Sequence, residues 1–198
     1  MGINYDYVIS PRLGRTNSKE QYAFFYNTDT VTSLDSYTYD EKGNDIYERE
    51  PFVAYFKAKN GSFDFLVIDI HVDPDAAKSE INDLPNVITD ASNHFPEKDV
   101  ILLGDMNADC QYLDENDQTL TLRNQIYRWL ITNDMDSNVA ESSCTYDRII
   151  TTLTLNEDFA GSVGVFRFDQ QFELDCPAKE ISDHYPVYAE FFVDKDTD

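Results

Sequence analysis

The stretch FDFLVIDIHVDPDAAKSEINDL, residues 63–84, decides the architecture of this chain. Its first part, FDFLVIDIH (63–71), is rich in β-branched and aromatic residues and predicts a strand. The acids and proline of DPD (73–75) then begin a helix through AAKSEINDL, which Pro85 should end or kink. A further apolar strand, DVILLG (99–104), follows the helix.

Other runs of the same kind predict more strands. They are YDYVI (5–9), QYAFFY (21–26), PFVAYFKA (51–58), RIITTL (148–153), SVGVFRF (162–168) and YPVYAEFFV (185–193). A second helix is predicted over about 118–131, where apolar side chains share one face. No internal repeat or Pro/Gly linker divides the chain, so we expect one domain over residues 1–198. Many strands with few helices favour an α/β (α+β) fold, a sheet sandwich with helices outside.

The composition is that of a globular protein with an acidic surface. Hydrophobic residues make up 41% of the chain, and 38 acidic against 15 basic residues give a net charge of −23. No apolar run approaches the roughly 20 residues of a membrane helix, and no signal peptide is visible. An acidic surface repels nucleic acid, unless carboxylates hold divalent cations that face the phosphates.

Three cysteines are present, and none belongs to a CxxC pair, which speaks against a zinc site. A disulfide between Cys110 and Cys144 would stabilise the fold by about 3–4 kcal/mol and would leave Cys176 unpaired. Such a bond would place the protein outside a reducing cytosol.

Polar clusters stand at the ends of five predicted strands. They are Lys19-Glu20, His71, Asp105-Met106-Asn107, Tyr146-Asp147-Arg148 and Asp183-His184. The ends of strands are places where a rigid scaffold positions catalytic and binding residues. Each cluster alone has a simpler interpretation, because a lone histidine is usually solvated and GDxN is a common turn. His94 receives that structural interpretation.

Taken together, the clusters contain the groups that phosphodiester hydrolysis needs. Two histidines can act as general base and general acid, and Glu20 and Asp147 can each orient one of them. Asp105, Asn107 and Asp183 offer oxygen ligands, which suit Mg²⁺, Mn²⁺ or Ca²⁺. The clusters therefore indicate a metal-dependent phosphodiesterase, although spacing alone does not require them to converge.

Longer motifs resemble the deoxyribonuclease I family of the endonuclease/exonuclease/phosphatase superfamily. They are SPRLGRTNSKEQYAF (10–24), EREPFV (48–53), GDMNADC (104–110), SCTYDRI (143–149) and ISDHYPV (181–187). GDxN and SDHxP alone point only to the superfamily, whereas the set is more specific and the similarity runs from about residue 5 to 193. The resemblance implies a four-layer sandwich of two packed, mostly antiparallel β-sheets flanked by helices.

The resemblance also implies a role for each cluster. His71, paired with Glu20, would be the general acid, and His184, paired with Asp147, would be the general base. The catalytic Mg²⁺ or Mn²⁺ and the scissile phosphate would be bound by Asp105, Asn107 and Asp183. DNA contacts would come from Arg15, Arg49, Tyr112 and Tyr146. Cys110 and Cys144 match the structural disulfide of the family, so we expect a secreted protein. We also expect a monomer that has no membrane partner.

Two calcium sites are implied by the same resemblance. The first would use Asp45, the carbonyl of Tyr47, Glu50, and either Asp40 or Glu41. The second would use the alternate residues Asp136, Asn138, Ala140 and Ser142, where family members carry threonines.

The chain departs from the family at its start. The first strand of the relatives, which supplies an asparagine, and the metal-binding glutamate after it have no counterpart before residue 5, so we expect an N-terminally truncated form of the fold. Three explanations compete, namely a fragment of a working secreted nuclease, which we favour, a shortened product with little activity, and a binding protein. Ser18 also replaces a tyrosine that packs against the minor groove in pancreatic-type members.

The sequence thus favours a secreted, divalent-metal-dependent endodeoxyribonuclease that leaves 5′-phosphates. One alternative is another phosphodiesterase of the superfamily, acting on lipid or inositol phosphates. The other is a non-catalytic interaction protein such as an actin binder, for which the relevant region contains Tyr7, Ile9, Pro11 and Phe52.

Overall fold

The computed structural model describes residues 4–17 and 19–196, so Ser18 lies outside the described residues. Its strands are β1 (Tyr5–Ile9), β2 (Ala23–Asn27), β3 (Val31–Thr38), β4 (Phe52–Ala58), β5 (Asp64–Asp69), β6 (Val100–Asp105), β7 (Tyr127–Trp129), β8 (Asp147–Thr152), β9 (Phe159–Val165) and β10 (Val187–Phe191). The helices are α1 (Ala77–His94) and the one-turn α2 (Phe168–Gln171). Six strands form a central mixed sheet in the order β3-β4-β5-β6-β8-β7.

Helix α1 covers one face of the central sheet. Its apolar stripe, which is Ile81, Leu84, Val87, Ile88 and Ala91, packs against residues of β4, β5, β6 and β8. Of the two outcomes expected at Pro85, an end of the helix is wrong, because the helix continues to His94. Burial of the stripe on both sides of Pro85 offsets the roughly 3 kcal/mol that an internal proline costs.

The other face of the central sheet carries two antiparallel ribbons, β1–β2 and β9–β10. Phe24 of β2 packs near Phe56, and Val187 of β10 packs near Ile101 and Ile149. An open apolar groove of about 960 Å³ runs between the ribbons, along β2 and β10. The expected α/β class with packed, mostly antiparallel β-structure is confirmed. In the described residues the second layer consists of these two ribbons.

The predicted helix over 118–131 is wrong. The segment holds a single 3₁₀ turn, Thr121–Arg123, and then strand β7, which pairs with β8. Trp129 explains the difference, because its indole N–H donates to Leu122 O at 2.8 Å and the Arg123 guanidinium lies 3.7 Å from its ring centroid. These contacts, together with pairing to β8, override the local helical pattern. Strand β3, with its mixed polar residues, was also missed by the sequence pattern.

One edge of the central sheet gathers the polar clusters. Strands β5 and β6 are parallel, so both end at this edge, and His71 follows two residues after the end of β5. Strand β8 is antiparallel to β6, so its first residue, Asp147, lies opposite the last residue of β6, Asp105. The convergence that the sequence left open therefore follows from strand direction.

A disulfide joins Cys110 to Cys144, as the resemblance implies, and Cys176 is free. The bond ties the loop after β6 to the segment before β8. Within residues 4–17 and 19–196, no helix combines the length and the apolar character needed to cross a bilayer.

Candidate active site

His71 and Glu20 form the first of two histidine–carboxylate pairs. Nδ1 of His71 lies 2.7 Å from Oε2 of Glu20. A carboxylate only accepts hydrogen bonds, so Nδ1 carries the proton and Nε2 faces outward as the reactive nitrogen. The backbone N–H of His71 donates to the Tyr22 hydroxyl at 3.0 Å, which fixes the main chain beneath the ring.

Arg49 holds this pair from behind. Its guanidinium donates from Nη1 to Glu20 Oε1 and from Nε to His71 O, both at 3.2 Å. Only 7% of Arg49 is exposed. The resemblance implies a DNA contact for Arg49, whereas these donors point into the protein and connect the two members of the pair.

His184 and Asp147 form the second pair. Nδ1 of His184 lies 2.8 Å from Oδ2 of Asp147, and the imidazole stacks on the Tyr146 ring with 5.5 Å between centroids. The hydrogen bond to Asp147 and the charges of nearby aspartates, including Asp105, raise the pKa of His184 to about 9. The pair therefore sits in a strongly negative environment that favours the imidazolium.

Asp105 lies between the two pairs. Its Oδ2 is 3.5 Å from Nε2 of His71 and 3.9 Å from Nδ1 of His184. Burial, together with the charge of Asp147, raises the pKa of the Asp105 carboxyl. Two histidines facing one carboxylate define a single site rather than two separate surface pairs.

The donor set of this site suits a divalent cation. Ligand atoms of Asp105, Asp147 and His184 lie within 4.8 Å of one another. Two crowded carboxylates repel each other, and a hard cation would relieve that repulsion. The two carboxylates supply the oxygen ligands that suit Mg²⁺ or Mn²⁺, while Nδ1 of His184 is already bonded to Asp147.

Asn107 and Asp183, the other predicted metal ligands, are placed differently. Asn107 is buried and donates its side-chain amide to Val72 O at 2.9 Å, while its backbone N–H donates to Asp105 Oδ1. Its side-chain oxygen therefore remains for a ligand. Asp183 is exposed, and its carboxylate does not join the close group of ligand atoms found in the described residues. Asp147 takes the place in that group that the resemblance gives to Asp183.

The predicted DNA contacts occupy two sides of the site. Tyr112 lies 5.6 Å from Tyr146 between ring centroids, so these tyrosines and the His184 ring form a continuous aromatic row. Arg15 is exposed and forms an ion pair with Asp45, with Nε 2.9 Å from Oδ1.

The loop predicted to bind the first calcium ion is closed by internal contacts. Glu41 Oε1 accepts from the backbone N–H groups of Ile46 and Tyr47. Asp45 is engaged by Arg15, and Glu50 is half-buried. Asp40 accepts from the backbone N–H of Lys42. Carboxylates in this loop are not gathered into a ready group of three in the part of the chain that the structure describes.

The second calcium loop is also satisfied internally. Asp136 Oδ1 accepts from the backbone N–H groups of Asn138 and Cys144. The side chain of Asn138 donates to Ser142 and accepts from the backbone N–H of Ala140. These bonds position the segment that pairs with His184 through an isolated bridge at Asn138.

Two residues near the site were missed by the sequence reasoning. Tyr22 supports the His71 backbone, and no motif distinguishes it from the other tyrosines. Glu80 is fully buried in α1, directly beside the apolar stripe. The sequence does contain a signal for Glu80. Leu84 and Val87 follow it one and two helical turns later, which places the glutamate on the apolar face of the helix.

Known proteins share both the sequence and the fold of this chain. No family model matches it. Deoxyribonuclease-1 of Gallus gallus is 37% identical over 194 residues, which cover 92% of this chain and 68% of the relative. Deoxyribonuclease-1-like 1 of Bos taurus is 41% identical over 180 residues, covering 88% and 57%. Human deoxyribonuclease gamma is 36% identical over 199 residues, covering 94% and 64%. The chain thus spans about two thirds or less of the length of these relatives.

Solved structures show the same architecture at low sequence identity. An endonuclease/exonuclease/phosphatase protein of Bacteroides vulgatus matches with a TM-score of 0.66 and 17% identity, over 96% of this chain and 77% of its own. A protein of that family from Bacteroides thetaiotaomicron matches with a TM-score of 0.64 and 18% identity, over 94% and 73%. The similarity in sequence and fold shows that this chain belongs to the deoxyribonuclease I family, within the endonuclease/exonuclease/phosphatase fold.

Proposed function

We propose that this chain is a deoxyribonuclease I-like endonuclease that hydrolyses DNA phosphodiester bonds with two histidines as base and acid. The observation that carries the proposal is the pair of histidines on either side of Asp105, each oriented by its own carboxylate. One histidine can deprotonate a nucleophile while the other protonates a leaving group, which is what hydrolysis of a phosphodiester requires.

His184 is the proposed general base. In the neutral form of the ring, with Nδ1–H donated to Asp147, the lone pair of Nε2 can take a proton from water. That water attacks phosphorus on the side opposite the 3′-oxygen. Asp147 stabilises the imidazolium that forms, as the carboxylate does in other histidine–carboxylate pairs.

His71 is the proposed general acid. The acid form is the imidazolium, with one proton on Nδ1 facing Glu20 and a second on Nε2. The Nε2 proton passes to the 3′-oxygen as the P–O3′ bond breaks, so the products carry 5′-phosphate and 3′-hydroxyl ends. Glu20 holds the ring, and Arg49 keeps the Glu20 carboxylate in place. The His71 ring returns to its starting protonation state by taking a proton from solvent.

A bound Mg²⁺ or Mn²⁺ would offset the charge that develops on the phosphate oxygens. Asp105, with the side-chain oxygen of Asn107, would hold it, and Asp147 or Asp183 would complete the set. With a net charge of −23, the chain needs such a cation to approach DNA at all.

The finer features of the family are part of the same proposal. DNA would run past Arg15, Arg49 and the aromatic row of Tyr112 and Tyr146. Calcium at the two loops described above would rigidify the fold, and secretion as a monomer would suit the Cys110–Cys144 bond. Actin binding is the weaker alternative, because Phe52, one of its four candidate residues, is 2% exposed.

Plasmid nicking by the 198-residue chain in Mg²⁺ plus Ca²⁺ tests the proposal. We expect supercoiled DNA to become open-circular, with no conversion in chelator and none by H184A. Turnover of inositol phosphates or phospholipids without nicking would instead assign the site to another phosphodiesterase of the superfamily. Absence of any turnover by a folded, metal-loaded chain would contradict the proposal.

A further inference from the structure

Helix α1 carries a buried carboxylate that the proposed mechanism does not use. Glu80 lies in the first turn of the helix and is 0% exposed. Glutamate is rarely buried unless it is paired or hydrogen-bonded, because losing hydration of a carboxylate is costly. Its presence beside the apolar stripe therefore calls for a specific set of partners.

Those partners are backbone groups of two loops near the edge of the central sheet where the polar clusters meet. Glu80 Oε1 accepts from the backbone N–H of Glu48 at 2.9 Å, and Oε2 accepts from the backbone N–H of Asp73 at 3.2 Å. Glu48 directly precedes Arg49, and Asp73 comes two residues after His71. One carboxylate thus connects the segment of Arg49 with the segment of His71.

Arg49 links these loops to the His71–Glu20 pair. Its side chain donates to His71 O and to Glu20, and Glu20 in turn receives Nδ1–H of His71. A continuous set of hydrogen bonds therefore leads from Glu80, through the two loops, to the imidazole ring. His184 is bonded to Asp147 and Ser182 and takes no part in this set.

We propose that Glu80 is a positioning residue for His71, and that it acts by locking the Arg49 loop to the His71 loop. This role rests on the proposed function, since it concerns the proposed general acid. Burial raises the pKa of Glu80 to about 7, and the backbone N–H groups of Glu48 and Asp73, together with the charge of Arg49, oppose this by favouring the carboxylate form.

The E80Q variant separates positioning from packing. Glutamine has the same shape, but its NH₂ group cannot accept from a backbone N–H, so one of the two loop bonds is lost. A small displacement of the acid should lower kcat by about tenfold. KM should change less than kcat, because Glu80 is buried and does not itself contact DNA in the proposal.

The rings of the three histidines, His71, His94 and His184, give a readout that does not depend on activity. In ¹H–¹⁵N spectra of the whole chain, E80Q should shift the His71 ring signals. Those of His184 should stay unchanged, as should those of His94, which stacks on Tyr37. D90N is the matched control, since Asp90 lies on the same helix and accepts from a side chain, the Tyr37 hydroxyl at 2.8 Å. It should leave His71 unchanged.

Unchanged His71 signals in E80Q would overturn the proposal. It would also be overturned if all three rings shifted together with a fall in Tm, because Glu80 would then be merely structural. A chain without nuclease activity whose His71 ring still moves selectively in E80Q would contradict the proposed function while supporting the positioning role.

Discussion

The two histidine–carboxylate pairs have nearly the same Nδ1···O distance, 2.7 and 2.8 Å, but quite different surroundings. The His71–Glu20 pair is backed by a cation, because Arg49 donates to both of its members. The His184–Asp147 pair has no arginine or lysine bonded to it in the described residues, and faces further aspartates instead. The glutamate of the first pair is 37% exposed, whereas the aspartate of the second is 17% exposed.

This difference fits the opposite roles that we propose for the two pairs. The His71 ring shares its carboxylate partner with Arg49, which fixes the orientation of the ring. A histidine surrounded by carboxylates is a stronger base, but it stays protonated until a cation reduces the local negative charge. The base side should therefore respond to metal and to pH more strongly than the acid side.

Removing either imidazole should have the largest effect. We expect H184A and H71A each to lower the initial rate of plasmid nicking by about 10²–10⁴-fold, the usual contribution of a general acid or base. H94Q is the control, since His94 lies far from the site, against Tyr37 and Phe95. Near-normal nicking by either alanine variant, with far-UV circular dichroism unchanged, would contradict the assigned roles.

Removing the carboxylates should distinguish the pairs. We expect D147N to lower the rate by about 10²-fold and E20Q by about 10-fold, because Arg49 still holds the His71 backbone when Glu20 is neutral. D147N should also return the pKa of His184 from about 9 toward its ordinary value near 6.5. Rate measurements on both variants, with a histidine titration by NMR, check the comparison. Equal losses would mean that the arginine does not matter.

The sequence predicted the catalytic edge better than the elements around it. Short motifs such as GDMNADC and ISDHYPV carry their chemistry locally, and the parallel β5 and β6 bring His71 and Asp105 to one edge. The 118–131 segment was mispredicted because its conformation depends on contacts of Trp129 with Leu122 and β8. Glu80 was missed because its partners are backbone amides of two loops, one of them 32 residues earlier in the chain.

Metal binding should act mainly on the base side. In chelator, His184 is expected to titrate with a pKa of about 9, held there first by Asp147 and then by the surrounding aspartates. Saturating Mg²⁺ should lower that pKa by about one unit, which is a tenfold change in the neutral fraction near pH 7. NMR titration of the His184 ring with and without Mg²⁺ measures it directly. No change on adding Mg²⁺ would argue against a cation at Asp105.

The smallest expected effect is on stability in the absence of metal. The folded pKa of His184, about 9, lies above the unfolded value of 6.5, so its contribution is fully present below pH 6.5 and is lost as pH rises through 9. Between pH 7.5 and 9.5 the free energy of unfolding should fall by about 1–2 kcal/mol more in the wild type than in D147N. Glu80 and Asp69, each with a pKa of about 7, have mostly titrated below this window, so they add little slope. Urea unfolding in chelator measures the difference, and parallel curves for the two proteins would show that Asp147 does not hold His184 in its charged form.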